Sequence, residues 1–118
     1  MKSVILTKYG APEVLKVQEF EDIHPLDNQV RIKVHYAGIN FAEIMARMKL
    51  YPGGPKPGSV LGGEVSGVID EIGKDVTGLS LGQKVMGLSL AGSYSSQVCI
   101  NADSIIPLPD NFKLDEAA

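Results

Sequence analysis

Valine and isoleucine occur in this chain as short runs cut off by glycine or proline, and only one stretch spaces its apolar residues as a helix does. That punctuation is the strongest constraint on the fold. β-Branched residues favour strands, while glycine and proline set the turns between them. With 13 glycines and 7 prolines in 118 residues, the pattern describes many short strands and little helix. Lys2–Thr7 and Val14–Phe20 read as two strands joined through Gly10-Ala11-Pro12. Residues 21–28 are polar and broken by Pro25, so they read as a loop. Val30, Ile32, Val34 and Tyr36 then alternate with Arg31, Lys33 and His35, which puts the first set on a buried face and His35 on the wet one. Val65 to Ile72, Val85-Met86, Val98 to Ile100 and Ile105-Ile106 supply four further strands. The expectation is a mainly β protein, a compact barrel or sandwich with one short helix.

The helix is expected at Phe41, Ile44, Met45 and Met48, which fall on one stripe and read as its core-facing side. Asn40 is a good N-cap, and Glu43 three residues later completes a capping box. Glu43 and Arg47 also stand in the favourable order for an ion pair. The helix must stop before Pro52, because six of the seven residues from 52 to 58 are glycine or proline.

Composition removes several function classes. A chain of 118 residues holds one domain. Eleven basic against fourteen acidic residues leave no cationic footprint for nucleic acid. Val4-Ile5-Leu6 is too short for a signal peptide or a membrane span. A single cysteine, Cys99, excludes an internal disulfide, lies between Val98 and Ile100 on a strand, and has no neighbouring base. These features point to a soluble protein of a reduced compartment, the cytoplasm. No G-x-G-x-x-G and no phosphate-binding G-x-x-x-x-G-K-[ST] occurs. His24 and His35 are isolated, so no metal-ligand spacing is present.

Gly38-Ile39-Asn40-Phe41-Ala42-Glu43-Ile44-Met45-Ala46-Arg47, followed by Leu50-Tyr51-Pro52, resembles a motif of the zinc-independent quinone oxidoreductases. These belong to the medium-chain dehydrogenase/reductase superfamily. Gly10 to Leu15, Leu61 to Ile69, Gly78 to Val85, Gly92 to Ser96 and Pro107 to Phe112 agree in order and spacing, so the resemblance spans the chain. The Ala-Glu-Ile-Met-Ala-Arg stretch is most similar to the branch that includes the vesicle-membrane-protein homologues. The resemblance implies that residues 1–118 form a GroES-like, partly open β-barrel with a short flanking helix. In that family the barrel precedes a Rossmann domain that holds NADPH, and this sequence lacks it.

For the chemistry, the resemblance implies a substrate-side domain that takes part in hydride transfer from NADPH to a quinone or enone. Zinc-dependent relatives carry Cys near positions 38–40 and Gly-His-Glu near 62–64, where this chain has Gly38-Ile39-Asn40 and Gly62-Gly63-Glu64, so no metal is expected. Gln83-Lys84 stands where an Asp-Arg salt link is more usual. Asn40, Phe41, Ala42 and Met45 are implied on the cofactor side, and Tyr51 as the phenol that orients the acceptor carbonyl. Each has a plainer reading: Asn40 as helix cap, Phe41 and Met45 as core, Tyr51 as a half-buried lid. Glu64 reads as a buried acceptor paired with an arginine or as a cleft-edge group, and Tyr94 as a packing aromatic. Two other functions stay open, a non-enzymatic interaction module and the enoyl-reductase unit of a larger synthase. A barrel without its second domain is expected to self-associate through an unpaired strand edge or an apolar patch.

Overall fold

The computed structural model describes all 118 residues. Seven strands form, as the punctuation predicts: β1 (Lys2–Leu6), β2 (Leu15–Glu19), β3 (Gln29–Ala37), β4 (Glu64–Ile72), β5 (Lys84–Leu88), β6 (Gln97–Asn101) and β7 (Ile105–Pro107). β1 and β2 make an antiparallel hairpin, and the other five form one antiparallel sheet in the order β6-β3-β4-β5-β7. Single bridges from Ser3 to Ser95 and from Ile5 to Val60 tie the hairpin to the segments that lead into β6 and β4. The result is the expected partly open barrel. Pro12–Val14 is a 3-10 turn rather than the start of β2.

The larger sheet curls around a core of Val30, Ile32, Val65, Ile69, Val85, Val98, Ile100 and Ile105. A second cluster, Leu6, Val14 and Leu61, lies under the hairpin and packs Tyr94 against it, the role expected of that ring. β3 and β4 meet so closely at Gly67 that a Cβ there would fall on the Lys33 carbonyl oxygen. Near the loop end of the pair, the register jumps between Arg31 and Ile32, leaving Asp70 as an extra residue of β4. This bulge puts two successive carboxylates within reach of one guanidinium. Arg31 Nε meets Asp70 at 2.7 Å and Arg31 Nη1 meets Glu71 at 2.8 Å. Arg31 also donates to the Ile23 carbonyl at 2.8 Å, which fastens the 21–28 loop to the barrel.

Several expectations are corrected. A second jump, between Val34 and Tyr36, leaves His35 as the extra residue and rotates the strand end. Tyr36 therefore faces outward, 49% exposed, instead of joining the buried set. Helix α1 (Phe41–Arg47) forms where its period predicts, but its apolar stripe does not face the core. Phe41 is 72% exposed, Ile44 39% and Met48 49%, and the buried residue is Ala46. The helix lies on the barrel rim, held at its end because Arg47 donates to the Gly10 carbonyl and Gly10 N–H returns a bond to the Arg47 carbonyl at 3.0 Å. Arg47 thus bonds Gly10 rather than Glu43. A four-residue helix, α2 (Leu114–Ala117), folds back on β4, where Ser66 Oγ donates to the Leu114 carbonyl. Gln83 closes its turn by accepting from Ser80 N–H at 3.0 Å, so no Asp-Arg link is needed there.

Truncating the centre of the core with Ile69→Ala should cost about 2–5 kcal/mol. Adding one methyl at Gly67 should cost about 1–3 kcal/mol by pushing the two backbones apart. Urea unfolding of both variants measures this; a Gly67→Ala protein as stable as the parent would contradict the tight β3–β4 crossing.

Candidate functional site

The site forms where β3 runs into α1 beside the start of β4. Gly38 N–H bonds the Glu64 carbonyl at 3.2 Å, and a Cβ on Gly38 would fall on the Glu64 carboxylate. Only glycine leaves room for that side chain. Asn40, in extended backbone, caps α1 through a capping box, as its position predicts. Its N–H donates to Glu43 Oε2 at 2.6 Å, and its side-chain Nδ2 donates to Glu64 Oε1 at 3.1 Å. The partner of Glu64 is therefore an amide and not an arginine, which corrects one of the two readings given for it. Asn40 sits between two carboxylates and is oriented by both.

α1 ends in a left-handed residue, Lys49 at φ 62°, with Leu50 N–H reaching back to the Met45 carbonyl at 2.8 Å. The Lys49 ammonium lies 5.5 Å from the centre of the Tyr9 ring, and Tyr9 in turn donates to the Pro55 carbonyl at 3.1 Å. These contacts hold the glycine- and proline-rich loop against the barrel and place Tyr51 at the mouth of a hollow. That hollow, about 370 Å³, is walled by Ala42, Glu43 and Ala46 of α1. The Tyr51 and Gly53–Pro55 loop closes one side, and Leu90-Ala91 the other. Gly62 and Gly63 form the floor. At Gly62, with φ +95°, a Cβ would lie 2.6 Å from the Tyr94 ring beneath. Two further hollows, about 560 and 500 Å³, lie between the hairpin and β3 and beside α2.

The expected site residues separate. Ala42 and Tyr51 line the hollow, and Tyr51 is 49% exposed. Asn40 stands at the head of the helix with its amide on Glu64, and Asn40, Phe41 and Met45 all lie outside the lining. Glu43 was legible in sequence only as a cap and as an ion-pair partner of Arg47. Its second oxygen, Oε1, lies beside Gly63, 4.0 Å from the place a Cβ would occupy there. No three side chains of the His, Cys, Asp or Glu type gather as a metal site would require. Burial, with help from the charges of Glu43 and Glu64, pushes the Tyr94 phenol up to about 12. Burial likewise pushes the Cys99 thiol up to about 11, which removes it as a nucleophile.

Residues 26–110 match the model of the alcohol dehydrogenase GroES-like domain. The chain belongs to that family. It is 36% identical over 112 residues to quinone oxidoreductase 1 of Escherichia coli, covering 94% of this chain and 34% of that protein. It is 34% identical over 109 residues to a phenolphthiocerol/phthiocerol polyketide synthase of Mycobacterium tuberculosis, covering 92% of this chain and 5% of that protein. Among solved structures, the human synaptic vesicle membrane protein VAT-1 homolog-like protein superposes with a TM-score of 0.95 at 28% identity, over 99% of this chain and 37% of that one. The Escherichia coli quinone oxidoreductase, solved in complex with NADPH, superposes with a TM-score of 0.92 at 33% identity, over 99% of this chain and 36% of that one. The GroES-like chain thus spans about a third of the length of its quinone oxidoreductase relative.

The raised phenol has a consequence for stability. An ordinary phenol titrates near 10, so the unfolded chain loses the Tyr94 proton first. Stability carried by this group is complete below about pH 10 and is lost as the pH rises towards about 12. Absorbance titration should show one of the four tyrosines ionising last, and Tyr94→Phe should remove that step. Cys99 should react with aromatic disulfides at pH 8 roughly 100-fold more slowly than a free thiol.

Proposed function

We propose that this domain is the substrate side of an NADPH-dependent oxidoreductase that passes a hydride to a quinone or enone without zinc. The observation that carries the reading is the hollow itself. It joins an accessible phenol, Tyr51, to a glycine floor and to Ala42, Glu43 and Ala46 of α1, in a domain related to quinone oxidoreductases. A flat ring needs a wall free of side-chain bulk, and Gly62 and Gly63 leave part of the lining without side chains. The residues present therefore fit a nicotinamide ring. Asn40, fixed by Glu64, and Ala42 would hold its carboxamide end, with Phe41 and Met45 offering apolar surface on the same helix. NADPH, when bound, supplies the hydride.

The chain's own contribution is to bind and orient the acceptor. The Tyr51 phenol would donate a hydrogen bond to the acceptor oxygen, which strengthens as negative charge builds there, and then hand over its proton. The reading includes no Lewis acid, because an amide and a glycine stand where the resemblance puts a thiolate and an imidazole. A cytoplasmic location is part of the same reading; no helix is long and apolar enough to cross a membrane. A second reading, the enoyl-reductase unit of a larger synthase, is favoured by the similarity to the polyketide synthase. It uses the same hollow and the same hydride. The interaction-module reading has less support, because the 52–58 loop carries no apolar docking tripeptide.

In the enzyme assembled with a nucleotide-binding domain, Tyr51→Phe should lower kcat for a quinone by about 10- to 100-fold. The KM for NADPH should stay within about twofold. Asn40→Ala should instead raise the KM for NADPH and cost about 1 kcal/mol of stability through the lost cap. Steady-state kinetics with both substrates separates these outcomes; two kinetically silent variants would refute the assignment.

Phe41, Ile44, Met48 and Leu50 leave an apolar surface outside the barrel. In the reading proposed here it packs against the nucleotide-binding domain, and in the chain alone it drives self-association. Sedimentation velocity should show the weight-average mass rising with concentration, and Phe41→Glu should abolish the rise.

A further inference from the structure

The walls of the hollow carry one formal charge, and it is negative. Of the thirteen residues that line it, only Glu43 is ionisable near neutrality, and none is lysine, arginine or histidine. The cations nearest in sequence are committed elsewhere. Arg47 bonds the Gly10 carbonyl, and Lys49 lies over the Tyr9 ring. Lys56, further along the loop, lines no wall. Glu43 spends one carboxylate oxygen on Asn40 N–H at 2.6 Å and leaves the other, Oε1, without a hydrogen-bond partner on the lining beside Gly63. Glu64, held by Asn40 Nδ2 at 3.1 Å, adds a second negative charge just behind this wall.

We infer that Glu43 is a specificity-determining residue that restricts the hollow to uncharged acceptors and rejects anionic ones. This deepens the functional reading given above and rests on it for the identity of the hollow. An anionic group entering here would leave water, find no counter-ion and meet a carboxylate on the lining. Like charges brought together in this way cost more than any polar contact the walls offer in return. An uncharged quinone or enone pays neither penalty. The raised Tyr94 phenol is consistent with this field, since both Glu43 and Glu64 oppose a negative charge beneath the floor.

Direct binding tests the inference without any need for turnover. The chain, labelled with nitrogen-15, is titrated with 9,10-phenanthrenequinone and, separately, with its 2-sulfonate, following the amides of Ala42, Gly62, Gly63 and Ala91. The neutral quinone should bind at least about tenfold more tightly at low salt, and the gap should narrow as salt is added. Glu43→Gln keeps an N3 side chain able to close the capping box and should shrink the gap several-fold. Ala91→Lys places a cation on the opposite wall, leaves the cap untouched, and should shrink or reverse it. Equal affinities, a gap unmoved by both substitutions, or no binding of either compound at these amides would each overturn the inference. Equal binding together with NADPH-dependent turnover in the assembled enzyme would sink the charge rule and leave the oxidoreductase reading standing. Discrimination without turnover would do the opposite.

Discussion

The pairing of β3 with β4 is the constraint on which the rest depends. These are the two longest strands, nine residues each, and they occupy the middle of the sheet. Their inner faces supply half of the main core, namely Val30, Ile32, Val65 and Ile69. Their crossing is so tight at Gly67 that no side chain fits between the backbones. Two interruptions of register give the pair its other tasks. The extra residue Asp70 arms Arg31 with two carboxylates and secures the loop that leads into β3. The extra residue His35 turns the far end of β3, so that Gly38 and Asn40 arrive against Glu64. The candidate site is thus set by an irregularity in an otherwise regular ladder.

Much of this was legible in the sequence for simple reasons. Strand positions follow from β-branched runs bounded by glycine and proline, and the head of α1 follows from the Asn40–Glu43 spacing. What the sequence concealed shares one cause: each miss concerns what an element packs against rather than what it is. The helical stripe Phe41-Ile44-Met45-Met48 has the right period for a core face, yet Ala46 does the packing. A helix bound to a rim at its end needs a small contact residue, and periodicity cannot tell a core from a surface awaiting another partner. Tyr36 fits a strict alternation that the His35 bulge breaks, and a bulge leaves no mark on an apolar pattern. Glu64 gave no sign of its amide partner, because the two are joined only in the fold.

The same distinction applies to the site. The resemblance marks the neighbourhood of Tyr51 and Ala42, and the fold puts both on one hollow. Glu43 was already accounted for by its capping duty. A carboxylate has two oxygens, however, and the structure shows one of them unspent. Residues with an adequate local explanation are those a sequence reading passes over most readily.

The reciprocal bonds between Arg47 and Gly10 carry a mechanical implication. They fasten the wall that carries Ala42, Glu43 and Ala46 to the turn of the N-terminal hairpin, on the outside of the barrel. The width of the hollow is therefore governed by a lever whose fulcrum lies away from the chemistry. Whatever grips or loosens the hairpin turn, such as a neighbouring domain, a bound peptide or a loop insertion, acts on the hollow without entering it.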